Sequence, residues 1–198
     1  MYKYIFKRII DLIIGICLLP FLVFLSLVVW LLILFDDRGP LFYSAPRMGK
    51  DGKIFKMYKF RSMKVNSPDI RNSDGSTFNG DTDPRVTKVG RFLRATSIDE
   101  IPQFINVLIG DMSLIGPRPS LTTTPYEHYS SIRKKRVSIK PGVTGYSQAY
   151  YRNSITQEEK FQHDCEYVDN ISFVNDCKII LKTIHSVLKK ENIYISKK

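Results

Sequence analysis

Cysteine is scarce, with Cys17, Cys165 and Cys177 the only three in 198 residues. They form no CxxC pair and no metal-ligating spacing, which argues against a disulfide scaffold or a zinc module. Cys17 lies in an apolar run, so at most one disulfide is open to the other two, and a reducing cytosol is the simpler setting. Acidic residues are also in deficit: 19 Asp+Glu face 30 Lys+Arg, for a net charge of +11. That imbalance calls for a polyanionic partner, whether nucleic acid, anionic lipid or a phosphorylated substrate. There is no internal repeat, no low-complexity tract and no recognised nucleic-acid motif, so nucleic acid is not the expected partner. The length suits an anchor, residues 1–35, and one catalytic-sized domain, residues 36–198.

Charge is absent from residues 12–35, a run of 24. As a straight helix it would reach about 36 Å, enough for a bilayer core of about 30 Å. The run exceeds a signal-peptide core, and no small-x-small cleavage site follows. Lys3, Lys7 and Arg8 precede it and a basic chain follows, so both ends carry a cytoplasmic signature. Pro20 removes a helical hydrogen bond near the middle of the run, and a kink is expected there. A re-entrant helix that bends at Pro20 and leaves on the side it entered satisfies both facts. A single straight crossing is the alternative.

Beyond a turn at 36–40, residues 41–44 and 54–60 read as strands of a β-hairpin around a basic connection, 47–53. Residues 66–83 are polar and read as a mobile loop or lid. Helices are expected over 89–95, 97–109, 126–137, 158–168 and 177–190. Residues 110–125 read as irregular and 140–145 as a loop. The fold class is thus α+β and mostly helical. In the last helix Cys177, Ile180, Leu181, Ile184, Val187 and Leu188 form an amphipathic stripe. It faces either a core or an anionic lipid surface.

The densest chemistry lies in RFLRATSIDEIPQF, 91–104. Ser97 and Glu100 fit a capping box, and Asp99 is itself a candidate cap. The same acids stand where a helix N-terminus and the bases Lys88, Arg91 and Arg94 would favour a bound phosphate and an ionised carboxylate. Pro102 is tolerated in the first turn if the helix begins near Asp99, and distorts it if the helix begins at Ser97. Two adjacent acids can divide labour, one attacking phosphorus while the other binds a metal or handles a proton. A diphosphate substrate brings Mg²⁺ with it, with Asp99 and Glu100 as candidate ligands. Lys59, Arg94 and Arg118 are candidates to neutralise phosphoryl charge. Arg118, between Pro117 and Pro119, is aimed by an extended backbone.

These motifs resemble the monotopic phosphoglycosyl transferases, the bacterial sugar transferases. The resemblance runs from KRIID at 7–11 through YKFRSM at 58–63, DPRVTKVGRFLR at 83–94 and SIDEIPQFINVLIGDMSLIGPRP at 97–119. KPGVTG at 140–145 and RNS at 152–154 follow in order. The short length is similar to the minimal members. The resemblance implies that Asp99 attacks the β-phosphorus of a UDP-sugar and expels UMP, and that Glu100 assists a polyprenyl (undecaprenyl) phosphate in a second step. It implies Mg²⁺ as cofactor, an N-acetylated amino sugar or a hexose as donor sugar, and glycoconjugate or polysaccharide assembly as the setting. It also implies a re-entrant anchor on the cytoplasmic face of the bacterial inner membrane. Lys59, Arg94, Arg118 and Arg152 match basic substrate-binding positions, and Asp176, in ISFVND, a supportive one. The family's break is often Ser-Pro, whereas Leu19 precedes Pro20 here. Tyr146–Arg152 is bulkier than the Gly-containing sequence common in relatives, which points to altered donor choice. Nothing in the sequence fixes the oligomeric state, a homodimer included.

Overall fold

The uncharged run folds, in a computed structural model that describes residues 1–70, 78, 83–152 and 154–189, as one long helix, α1 (Lys7–Asp36). A π-helical turn, Tyr2–Phe6, leads into it. Pro20 lies inside α1, and the helical assignment continues on both sides of it. The residues of α1 that are buried are Lys7, Asp11, Gly15, Leu22, Val29 and Ile33. Their separations of four and seven mark a single helical face. The rest of its surface stays bare and apolar: Phe24 is 65% and Phe35 86% exposed. By length and composition the segment can cross a membrane.

The hairpin pairs β1 (Phe42–Met48) with β2 (Ile54–Phe60) from Phe42↔Phe60 to Met48↔Ile54. β1 runs past the expected 41–44 and includes Pro46. A proline is tolerated there because the second neighbour of β1, a bridge from Met48 to Ser120, comes only two residues later. Asp51 and Gly52 take positive φ and close the turn. The polar 66–83 stretch falls mostly outside the described residues.

α2 (Lys88–Ala95) is capped by Thr87, whose side chain accepts from the Gly90 amide. The expected 97–109 helix is a correction. Ser97 has φ 58, in the left-handed region, and a 3-10 turn, Ile98–Glu100, follows it. Pro102 then occupies the N-cap of α3 (Gln103–Ile109). Ser97 makes no capping bond, so the capping box does not form, and Asp99 sits inside the turn rather than at a cap. Two further strands were unexpected: β3 (Ser113–Ile115) and β4 (Gly142–Thr144), paired in parallel. Residues 126–137 divide into a 3-10 turn, Tyr126–His128, and α4 (Ser131–Arg136), because Ser130 caps the second piece. α5 (Tyr146–Tyr150) was also unexpected. α6 (Gln157–Asp169) begins with a true capping box, Thr156 with Glu159.

The last helix, α7 (Phe173–Leu188), starts earlier than expected and buries Asp176, Ile179 and Ser186. Leu181, Ile184 and Leu188 of the apolar stripe are exposed, with Phe173 and Val174. That half of the stripe faces outward, while Ile180 packs against the core and Cys177 and Val187 are half-buried. One core joins Phe55, Met57, Val107, Met112, Tyr167 and Ile179. A second joins Leu22, Val29 and Ile33 of α1 to Phe60 and Leu93. The cysteines are all free.

Candidate functional site

Asn106 sets the geometry of the acid pair. It is fully buried, and its side chain reproduces the edge of a missing strand against β2. Its Oδ1 accepts from the Tyr58 amide at 2.9 Å and its Nδ2 donates to the Lys56 carbonyl at 2.7 Å. Docking α3 onto that edge brings the preceding turn, with Asp99 and Glu100, beside Lys59.

Lys59 Nζ donates to Glu100 Oε1 at 2.6 Å and lies 3.9 Å from Asp99 Oδ2. Arg118 Nη2 donates to the same Glu100 oxygen at 2.9 Å. Burial works to raise the proton affinity of Glu100, but Arg118 and Lys59 overcome it and hold the acid well below the usual carboxylate range. Asp99 has the opposite balance. Burial, with the Glu100 charge adding to it, pushes its pKa up to about 6 against the pull of Lys59, Arg94 and Arg118. Asp99 is 8% exposed, and among the described residues its carboxylate accepts no hydrogen bond.

The other expected residues divide. Arg94 is within electrostatic reach of Asp99, but its Nε donates to Ser62 Oγ at 2.9 Å. Arg152 has positive φ and places Nη2 3.4 Å from Ser97 Oγ, beside the acid turn. Asp176 is bound elsewhere. It accepts from Tyr2 Oη, Lys7 Nζ and Tyr167 Oη at 2.7, 2.6 and 2.7 Å, and so ties the entry of α1 to α6 and α7.

Arg136 was not anticipated. Buried at the end of α4, it donates Nε to Asp164 Oδ2 at 2.7 Å, Nη1 to Ser120 Oγ at 2.7 Å and Nη2 to the Arg118 carbonyl at 2.6 Å. Asp164 Oδ1 also accepts from Ser147 Oγ of α5 at 2.7 Å. Arg136 thereby fixes the backbone from which Arg118 reaches Glu100. It is one of four consecutive bases, so composition gave no signal to single it out.

Two adjacent carboxylates, one without hydrogen bonds among the described residues, suit a hard cation such as Mg²⁺. No cluster of three or more His, Cys, Asp or Glu side chains able to hold a metal occurs among the described residues. Phosphate oxygens and water would have to complete an octahedral shell.

The bacterial sugar transferase family matches residues 2–190. A galactosyl transferase, CpsE, of Streptococcus agalactiae is 48% identical over 160 residues, 77% of this chain and 35% of that protein. An undecaprenyl-phosphate galactose phosphotransferase of Salmonella typhimurium is 38% identical, over 95% of this chain and 41% of its own. The chain thus spans well under half of these two relatives. The sugar transferase EpsL of Bacillus subtilis is 41% identical over 96% of this chain and 90% of its own length. Because the family model covers nearly the full length, the acid pair and its cations included, the chain belongs to the bacterial sugar transferase family.

Proposed function

We propose that the protein moves a sugar-1-phosphate from a UDP-sugar to undecaprenyl phosphate in two displacements at Asp99. The observation that carries this is a buried carboxylate that accepts no hydrogen bond among the described residues and lies 3.9 Å from Lys59, within electrostatic reach of Arg94 and Arg118, while Glu100 takes the hydrogen-bonded ion pairs. In the first displacement an Asp99 oxygen bonds to the β-phosphorus, and the bond to the bridging oxygen breaks to release UMP. In the second, an oxygen of the polyprenyl phosphate attacks the phosphosugar and frees Asp99. The donor phosphates compete with Glu100 for Arg118 and Lys59. Once those cations turn to phosphate, Glu100 is freed to take the acceptor's proton. Arg118, Lys59 and Arg94 stabilise charge on the transferring oxygens. Mg²⁺, when bound by Asp99 and Glu100, supplies charge neutralisation for the diphosphate.

The names of the CpsE and Salmonella relatives make a UDP-hexose, galactose first, the donor to try. An N-acetylated amino sugar is the second.

We place α1 in the cytoplasmic leaflet as a re-entrant segment. At 30 residues it is about 45 Å long, beyond the span of a bilayer core. Both its ends grip the same domain. Lys7 pairs with Asp176 at one end, and Asp37 pairs with Arg61 at the other. Asp36 also accepts from the Val89 amide of α2 at 2.9 Å. A simple crossing would carry one of these ends to the far side of the membrane. The outward half of the apolar stripe of α7 supports contact with the same surface.

The test is UMP release from UDP-sugars with Mg²⁺ and undecaprenyl phosphate. Wild type should turn over and show a phosphosugar mass adduct with donor alone. Full activity in Asp99→Asn would refute the role given to Asp99.

A further inference from the structure

A second cluster of cations lies at the opposite end of α3 from the acid pair. It gathers at Gly110, which ends α3 with φ 94. A methyl built on Gly110 would stand 3.4 Å from Arg8 Nη2 and 3.5 Å from Lys140 Nζ, so these two cations flank the glycine. Lys50 and Lys53, from the hairpin turn, complete the wall of a cavity of about 380 Å³. Asp51 and Asp111 also line it, and Asp51 lies 3.7 Å from Lys50. With Arg8 beside Gly110, four cations face three carboxylates, Asp51, Asp111 and Asp11.

Lys140 is half-buried in this cluster. Among the described residues it makes no hydrogen bond and no ion pair. Burial, with Arg8 and Lys50 adding, lowers its proton affinity against the pull of Asp11 and Asp111. Arg8 is held in place by donating to the Val107 and Leu108 carbonyls. The site is separate from the acid pair: Lys53 and Lys59 are six residues apart on or beside β2, about 20 Å along an extended strand.

Its position names the ligand class. Arg8 is in the first turn of α1, where that helix enters the membrane surface. Ile54 and Ile109, 58% and 60% exposed, follow Lys53 and precede Gly110. Cations gathered where the apolar helix α1 begins suit a phosphate whose acyl chains lie alongside that helix. We propose that this groove seats the headgroup phosphate of an anionic phospholipid, apart from the donor and acceptor phosphates. The proposal rests on the placement of α1 at the membrane surface.

Amine acylation of Lys140 reads the site without turnover. Full-length protein is placed in nanodiscs of phosphatidylcholine, or of equal parts phosphatidylcholine and phosphatidylglycerol, and labelling is mapped by peptide mass spectrometry. Lys140 should be protected about fivefold or more by phosphatidylglycerol. The exposed-turn double variant Lys50→Gln, Lys53→Gln should lose that protection, and Asp99→Asn should keep it, which separates this site from the transfer reaction. Equal labelling in both discs overturns the site. Protection by inorganic phosphate in phosphatidylcholine discs that matches phosphatidylglycerol overturns the lipid assignment in favour of a soluble phosphate. Flotation with phosphatidylcholine vesicles tests the membrane placement by itself.

Discussion

At Asp99, burial and the neighbouring Glu100 raise a proton affinity that Lys59, Arg94 and Arg118 lower, and the balance falls near 6. In the proposed reaction only the deprotonated form attacks phosphorus. The rate of adduct formation with donor alone should therefore rise with pH through about 6 and then level, as followed by quenched intact-mass measurement. Glu100→Gln removes a charge that opposes ionisation of Asp99, so the acid limb should move to lower pH. Arg118→Met removes a favourable charge and should move it higher. A flat profile across the acid range would exclude Asp99 as the titrating group. Asp99→Asn should lower turnover by at least about a thousandfold while the melting temperature holds or rises, because a desolvated charge is removed. Asp99, Glu100, Lys59 and Arg118 were legible because long runs of sequence surround them. Asp176 was legible as a special residue but not as an anchor, since its partners Tyr2 and Lys7 lie about 170 positions away.

α3 and the hairpin show what an element adds beyond its residues. Asn106 satisfies two groups on the open edge of β2, so Asn106→Leu leaves the Tyr58 amide and the Lys56 carbonyl without partners. A loss of about 2–4 kcal/mol in unfolding free energy is expected, checked by denaturant titration in detergent micelles. Arg136→Lys keeps a charge for Asp164 but cannot also reach Ser120 and the Arg118 carbonyl. Turnover should fall about tenfold and the acid limb should rise as in Arg118→Met. A purely structural role would lower the active fraction and leave the limb in place. The hairpin, α2 and α6 could be read from alternation, turn residues and caps. β3 and β4 could not, because three-residue strands hold no periodicity and depend on each other across 29 positions. The 97–109 helix misled because its apolar spacing is helical, whereas the left-handed backbone at Ser97 and the missing N–H of Pro102 decide where the helix starts.

As a whole the molecule grips its apolar helix at both ends. On a cysteine-free background, cysteines placed at Lys3 and at Arg38 should both resist a membrane-impermeant thiol reagent applied outside spheroplasts and react after lysis. Reaction of either one from outside would establish a crossing helix. Asp176→Asn strands Lys7 in a buried site and should cost about 3 kcal/mol, read from thermal unfolding, while Lys7→Met with Asp176→Asn should recover part of it. The same link has a consequence for biogenesis. Position 7 leaves the ribosome long before position 176, so the ammonium at the head of the anchor travels without this partner until α7 has been made. A product terminated before position 176 keeps that ammonium without this partner, and the fastening of the anchor thus doubles as a mark that synthesis has reached α7.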